Sequence, residues 1–224
     1  MFKYSMTKLL VCDMAGTTIQ EKGIVYNSLF KTIKMIKPDL DKSEITKFHG
    51  CSKSEVIKYF INDRKLNSPN KIQEHLESEF NYFLKNEYTK NNSVKLIHPD
   101  LPDYFNMLRD NGIKVALNTG YNKDIQNLLI DKLNMTNFID DCISSDEVTY
   151  GRPYPFMIHK LMNRNNISDI NNVIKIGDSV MDIKEGKNAG CKTVGVLSGA
   201  DSRGILVEED PDFIVSNIID IKFI

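Results

Sequence analysis

Leu9-Leu10-Val11-Cys12-Asp13-Met14-Ala15-Gly16-Thr17-Thr18 decides the reading of this chain. Its four leading apolar residues read as a short central strand buried on both faces. The strand ends on an aspartate, and a glycine–threonine turn follows at once. This puts a carboxylate at the carboxyl edge of a sheet, with the turn's backbone N–H groups free to face an anion. A lone aspartate after a strand is commonly a plain turn residue, so the remaining sequence has to arbitrate.

Three later stretches repeat the pattern. Val173-Ile174-Lys175-Ile176 reads as another strand, followed by Gly177-Asp178-Ser179 and then Asp182. If a helix starts near Ser179, Asp178 stays on the strand tip and Asp182 sits in the first helical turn beside it. With Asp13 from the neighbouring strand, the carboxylates form a hard oxygen-ligand set suited to Mg²⁺. The competing reading is that Asp178 and Asp182 only cap and charge a helix N-terminus. Val115-Ala116-Leu117-Asn118 reads as a strand ending on Thr119, whose hydroxyl is placed to bond a phosphoryl oxygen. Gly151-Arg152-Pro153-Tyr154-Pro155 opens a helix and offers Arg152 as a fixed cation.

These residues, in this order, resemble the four motifs of the haloacid-dehalogenase superfamily of phosphohydrolases, in which the first aspartate attacks phosphorus. Most phosphatases of that superfamily carry a second aspartate two positions on, as general acid and base. Here that position is Ala15. An Asp-x-Ala-Gly-Thr-Thr loop, together with Thr119-Gly120-Tyr121, Gly-Arg-Pro-Tyr-Pro, Gly-Asp-Ser and Lys184-Glu185-Gly186, is similar to the phosphonoacetaldehyde hydrolases and the phosphonatase-like hydrolases. The resemblance implies Asp13 as nucleophile. It implies Mg²⁺ held by Asp13, the Ala15 carbonyl, Asp178 and Asp182. It further implies Thr119 and Arg152 in catalysis, with substrate contacts from Gly16, Thr17, His49, Gly50, Gly120 and Tyr121.

The chain alternates strands and helices, which implies a doubly wound parallel α/β sheet with ligands at the carboxyl ends of the strands. Helical patterns cover residues 26–36, with Leu29, Phe30, Ile33 and Ile36 on one side, and residues 52–60. A longer helix carries Ile72, Leu76, Phe80 and Phe83. Further helices are read at 99–111, 123–133 and 155–163, and strands at Cys142-Ile143-Ser144, Thr193-Val194-Gly195-Val196 and Phe213-Ile214-Val215. The helical block after the nucleophile loop resembles the superfamily's small cap domain, giving a cap of residues 18–91 and a core of 1–17 and 92–224.

Composition adds limits. A chain of 224 residues can bury a substantial core, and 41% apolar with 26% charged residues is ordinary for a globular protein. A net charge of −1 gives no electrostatic reason to propose nucleic acid or an anionic membrane as a partner. No apolar run reaches membrane-spanning length, and the four cysteines form no metal-type pair. Cys12 and Cys142 are read at buried strand positions. The expected setting is cytoplasmic. The expected partner is a small phosphorylated or phosphonate substrate, and a homodimer is left open.

Ala15 raises the central chemical question. Carbonyl coordination of a metal survives the loss of a carboxylate there, but general acid help, typically worth ~10²–10⁴-fold, does not. Lys53, in His49-Gly50-Cys51-Ser52-Lys53, offers a substitute. In the phosphonoacetaldehyde hydrolases a cap lysine at this place condenses with the substrate aldehyde. The protonated imine then draws off the electrons of the phosphorus–carbon bond. A methionine four residues before that lysine and a histidine three after it are His49 and Val56 here. A cysteine expected after the nucleophile loop is absent from Glu21-Lys22-Gly23-Ile24. Lys53 can therefore be read as an imine-forming amine, as a plain cation for an anionic substrate, or as a surface residue. The corresponding functions are phosphonoacetaldehyde hydrolysis, hydrolysis of a small phosphomonoester with His49 as a substitute acid, and non-catalytic phosphate binding.

Overall fold

The computed structural model describes residues 6–48, 51–64, 66, 68–90 and 93–223. The chain opens with β1 (Leu9–Asp13) and a two-residue strand β2 (Ile19–Gln20). Four helices follow: α1 (Ile24–Ile33), α2 (Ser43–Thr46), α3 (Lys53–Asp63) and α4 (Pro69–Lys90). The chain then returns through β3 (Lys95–Leu96). Next come α5 (Leu101–Asp110), β4 (Lys114–Thr119), α6 (Lys123–Lys132), β5 (Asp141–Ser144) and α7 (Phe156–Arg164). The last part holds β6 (Val173–Gly177), α8 (Val180–Ala189), β7 (Lys192–Val196), α9 (Arg203–Glu208) and β8 (Phe213–Val215).

Six strands form one parallel sheet in the order β5-β4-β1-β6-β7-β8. Its centre is buried on both faces, which is why β1 is apolar until its last residue. Successive β1 side chains serve opposite layers. Leu10 and Cys12 join the cluster that holds Phe105 and Leu108 of α5. Leu9 and Val11 join Met157, Ile158 and Leu161 of α7. The chain runs outward from β1 to β4 and β5, then crosses back to place β6 on the other side. That switch of direction leaves a crevice at the carboxyl ends of β1, β4 and β6, the usual ligand position in such a sheet.

The helical insertion sits over this crevice because of its neck. β2 and β3 pair antiparallel, Ile19 with Leu96 and Gln20 with Lys95, and the Ile97 amide donates to the Thr18 carbonyl at 2.9 Å. The chain thus leaves for the insertion and returns from it at the same place, just beyond the turn that follows Asp13. Within the insertion, Leu29 and Ile33 of α1, Ile57 and Phe60 of α3, and Leu76 and Phe80 of α4 pack in one cluster.

The structure departs from the sequence reading in several details. α1 starts earlier than residue 26 because the Glu21 carboxylate accepts hydrogen bonds from the Gly23 and Val25 amides. It ends at Ile33, where the Met35 and Ile36 amides tighten onto Thr32 and Ile33. Cys142 is half-buried, in contrast to the fully buried Cys12. All four cysteines are free. β2, β3, α2 and α9 went unread. Among the described residues, no helix is long and apolar enough to cross a membrane.

Candidate active site

Asp13 ends β1 opposite Asn118 of β4, and the chain turns immediately. The turn is held from inside: the Thr17, Thr18 and Ile19 amides all bond the Met14 carbonyl, and the Gly16 amide bonds the Ile19 carbonyl. The amides of Gly16, Thr17 and Thr18 are therefore consumed by the turn and not free for an anion, contrary to the expectation from sequence. Gly16 adopts φ +89°, and a Cβ there would lie 2.4 Å from Asp178 Oδ2. Both backbone conformation and space therefore require glycine. Thr17 is fully buried and donates its hydroxyl to Asp178 Oδ1 at 2.8 Å. It braces the neighbouring carboxylate from outside the set of residues that line the cavity.

Arg152 reaches in from the loop before α7 and binds Asp13 directly, with Nη2 2.5 Å from Asp13 Oδ1. The same nitrogen donates to the Asn118 carbonyl at 2.9 Å. Nη1 lies 2.9 Å from Asp182 Oδ1, and Nε 3.2 Å from Glu185 Oε2. Three buried carboxylates hold one guanidinium in a fixed plane and raise its pKa against the effect of burial. Beneath it lies Lys175, in mid-strand on β6 and completely buried. Its ammonium contacts Asn118 Oδ1 at 2.7 Å, Asp182 Oδ1 at 2.8 Å and Glu185 Oε2 at 3.4 Å. Asn118 also donates its amide to both oxygens of Glu185, at 3.0 and 2.8 Å.

Asp13, Asp178 and Asp182 each present an oxygen within 4.8 Å of the others. Burial and the two neighbouring carboxylates push the Asp178 pKa well above the usual range. Asp13 is raised as well, by burial first, with Arg152 opposing. Asp182 is lowered because Arg152 and Lys175 outweigh its burial. Its other oxygen closes a capping box on α8, accepting from Ser179 Oγ at 2.6 Å. With Glu185 and Glu21 included, five buried carboxylates outnumber the three buried cations around them, Arg152, Lys175 and Lys53. The all-oxygen donor set and the missing positive charge both fit a hard divalent cation such as Mg²⁺.

Lys53, the first residue of α3, comes from the insertion to the same crevice. It lines a cavity of about 340 Å³ with Asp13, Gly16, Thr119, Arg152 and Asp178. Gly120 and Tyr121 line it as well. Lys53 is only 7% exposed. Its Nζ donates to the Cys51 carbonyl at 2.7 Å and lies 4.9 Å from the centre of the Tyr26 ring. Burial lowers its pKa to about 8, with the Arg152 charge acting in the same direction and Asp13 and Glu21 opposing. The surface reading of Lys53 is thereby excluded. Thr119 is buried at the tip of β4, where its Oγ1 accepts from the Tyr121 amide at 3.2 Å.

His49 and Gly50, expected to contact substrate, lie outside the described residues. Sequence reasoning missed Lys175, Glu185, Glu21 and Tyr88. Lys175 did leave a signal, as the one charged residue in an otherwise apolar strand. Glu21 and Tyr88 are 67 positions apart and gave none.

Comparison with known proteins agrees with this geometry. The haloacid dehalogenase-like hydrolase family model matches residues 10–196. A bifunctional phosphonoacetaldehyde hydrolase/aminoethylphosphonate transaminase of Clostridioides difficile (strain 630) is 28% identical over 218 residues, 90% of this chain and 33% of the relative. A phosphonoacetaldehyde hydrolase of Bacillus cereus (strain B4264) is 38% identical over 103 residues, 46% of this chain and 39% of the relative. The matched segments thus span well under half of those relatives' lengths. Among solved structures, a phosphonoacetaldehyde hydrolase-like protein from Oleispira antarctica superposes with a TM-score of 0.81 at 20% identity, covering 98% of this chain and 91% of the other. A hydrolase from Pseudomonas syringae does so at 0.81 and 17% identity, covering 96% and 95%.

Proposed function

The chain belongs to the haloacid dehalogenase-like hydrolase family, and on that premise we propose that it is a Mg²⁺-dependent phosphohydrolase acting on a small molecule. The substrate we favour is phosphonoacetaldehyde, cut at its phosphorus–carbon bond. One observation carries this reading: a buried lysine of lowered pKa shares the cavity of the nucleophile, while alanine occupies the position of the usual acid.

The residues divide the work. Asp13 attacks phosphorus in line, with Arg152 opposing the effect of burial on its carboxylate and orienting it. Mg²⁺, held by Asp13, the Ala15 carbonyl and Asp178 with Asp182 beside them, would neutralise phosphoryl charge when bound. Thr119 offers its hydroxyl to a phosphoryl oxygen. Neutral Lys53 adds to the aldehyde, and the carbinolamine takes up one proton as it loses water, which leaves a protonated imine. When the phosphorus–carbon bond breaks, its electron pair moves into the imine, leaving a neutral enamine on Lys53 and phosphate on Asp13. No acid at position 15 is needed, since no alkoxide departs. Hydrolysis of both adducts frees acetaldehyde and phosphate. Residues 18–91 act in this scheme as a cap that brings Lys53 to the core and excludes water.

A phosphomonoesterase is the second reading, favoured by Val56, which stands where the resemblance places a histidine assisting the lysine. Borohydride reduction in the presence of phosphonoacetaldehyde separates the two. An adduct on Lys53, located by mass spectrometry, supports the imine. Turnover of the aldehyde with no adduct would overturn it.

A further inference from the structure

Glu21 is a buried carboxylate on the cavity wall with no part in the reaction above. It lies just after β2, 7% exposed. Its Oε1 accepts from the Gly23 amide at 3.0 Å, and its Oε2 from the Val25 amide at 2.8 Å. Anchoring the start of α1 accounts for those two bonds. It does not account for a third. Tyr88, fully buried near the end of α4, donates its hydroxyl to Glu21 Oε2 at 3.1 Å. The same hydroxyl lies 2.7 Å from that of Tyr121, which lines the cavity beside Lys53. One unbroken hydrogen-bond chain thus joins a buried carboxylate to a phenol on the cavity wall.

The direction of such a chain depends on charge. With Glu21 ionised, Tyr88 donates to it and Tyr121 donates to Tyr88, so Tyr121 offers the cavity only an acceptor oxygen. With Glu21 protonated, every bond can reverse, and Tyr121 offers a proton instead. We propose that Glu21, acting through Tyr88, sets the proton state of the Tyr121 hydroxyl, making Tyr121 the proton donor when the carbinolamine on Lys53 dehydrates. This rests on the imine reading above. In that step the carbinolamine C–O bond breaks with its electron pair going to oxygen. Tyr121 protonates that oxygen, Tyr88 re-protonates Tyr121, and Glu21 re-protonates Tyr88. The Lys53 nitrogen lone pair completes the C=N bond, so the products are water, a protonated imine and the Glu21 carboxylate. The relay supplies an acid to a cavity whose wall has alanine at position 15, in a chain with Val56 where the resemblance places an assisting histidine.

The surroundings suit this task. Charged and titratable groups facing the relay are Lys53 on α3, Tyr26 on α1, Tyr88 on α4 and Asp13 on β1. Burial raises the Glu21 carboxyl above its ordinary range, opposed by its hydrogen bonds and by Lys53, so protonation extends toward neutral pH. Burial also raises both phenols well above theirs, so they pass protons and do not ionise.

The test is the rate of borohydride-trapped imine formation from phosphonoacetaldehyde across pH, for wild type, Glu21→Gln, Tyr88→Phe and Tyr121→Phe. Imine formation needs Lys53 neutral and Glu21 protonated together. The wild-type rate therefore rises with pH, levels off, and falls above about 8, where Lys53 is already neutral. In Tyr88→Phe only the Lys53 titration remains. The rate is then at least ~10-fold lower at pH 7, rises through about 8 and stays level. Glu21→Gln disturbs the start of α1, so Tyr88→Phe, which leaves both amide bonds in place, is the deciding variant. A wild type that turns over the aldehyde but traps nothing removes the imine and the relay with it. A wild type that traps, with Tyr88→Phe matching its rate and pH profile, removes the relay alone.

Discussion

Replacing Lys53 by arginine separates covalent from electrostatic roles, and the structure sets the size of the effect. With a pKa of about 8, roughly one Lys53 in ten is neutral at pH 7, against about one in 3,000 for an unperturbed lysine. Burial therefore raises the reactive population ~300-fold. An arginine keeps the positive charge, but its guanidinium is neutral in fewer than about one molecule in 10⁵. If the amine must condense with the aldehyde, Lys53→Arg should lose at least ~10⁴-fold in kcat/KM, as should Lys53→Ala. Acetaldehyde release, coupled to alcohol dehydrogenase, measures this, with p-nitrophenyl phosphate hydrolysis run in parallel as a reaction that forms no imine. Competitive acylation read by mass spectrometry supplies the premise independently, through a Lys53 titration midpoint near 8. Retention of more than about a hundredth of wild-type aldehyde turnover by Lys53→Arg would refute the covalent role, since no arginine population could account for it.

Chelation should abolish turnover and added Mg²⁺ restore it; Asp178→Ala should raise the Mg²⁺ needed for half-maximal activity at least ~10-fold. Full activity in excess EDTA would contradict the metal site. Lys175→Met should cost about 3 kcal/mol in urea unfolding, because it removes one of the two cations that the Asp182 and Glu185 carboxylates contact in the core. An unchanged midpoint would mean that the buried ammonium offsets nothing. For Glu147, burial opposes ionisation, but hydrogen bonds from Ser144 and Arg164 outweigh it and hold the carboxyl at about 2. Its stabilising contribution is complete above pH 4.5 and disappears as pH falls through about 2. Glu147→Gln should cost ~2 kcal/mol at pH 7, after allowance for solvent screening, and nearly nothing at pH 2. A cost that does not vary with pH would place the effect elsewhere.

The sheet was legible because each central strand carries its own label: an apolar run that stops on Asp13, Thr119 or Gly177-Asp178. Those stops also line one cavity, so reading the fold largely located the candidate site. Lys53 was legible from its place in the motif order, and the structure brings it to the same cavity. What stayed hidden depends on contacts between distant segments. Tyr88 is buried on α4 with Leu76, Phe80 and Leu84, and its hydroxyl has meaning only beside Glu21 and Tyr121. The two-residue strands β2 and β3 are too short to show any alternation. The turn amides misled because a glycine–threonine sequence does not reveal which carbonyl within the turn will claim them.

The narrow neck bears on how such proteins diversify. Since β2 and β3 lie side by side, the intervening helices form a cassette whose two ends leave the scaffold at adjacent points. Lengthening, shortening or exchanging that cassette leaves the register of β1 against β4 and β6 untouched, and with it Asp13, Arg152 and Asp178. Lys53, by contrast, travels with the cassette. In the proposed reaction, phosphoryl transfer and substrate preference are therefore separable along this chain, one held by the sheet and the other by one contiguous gene segment.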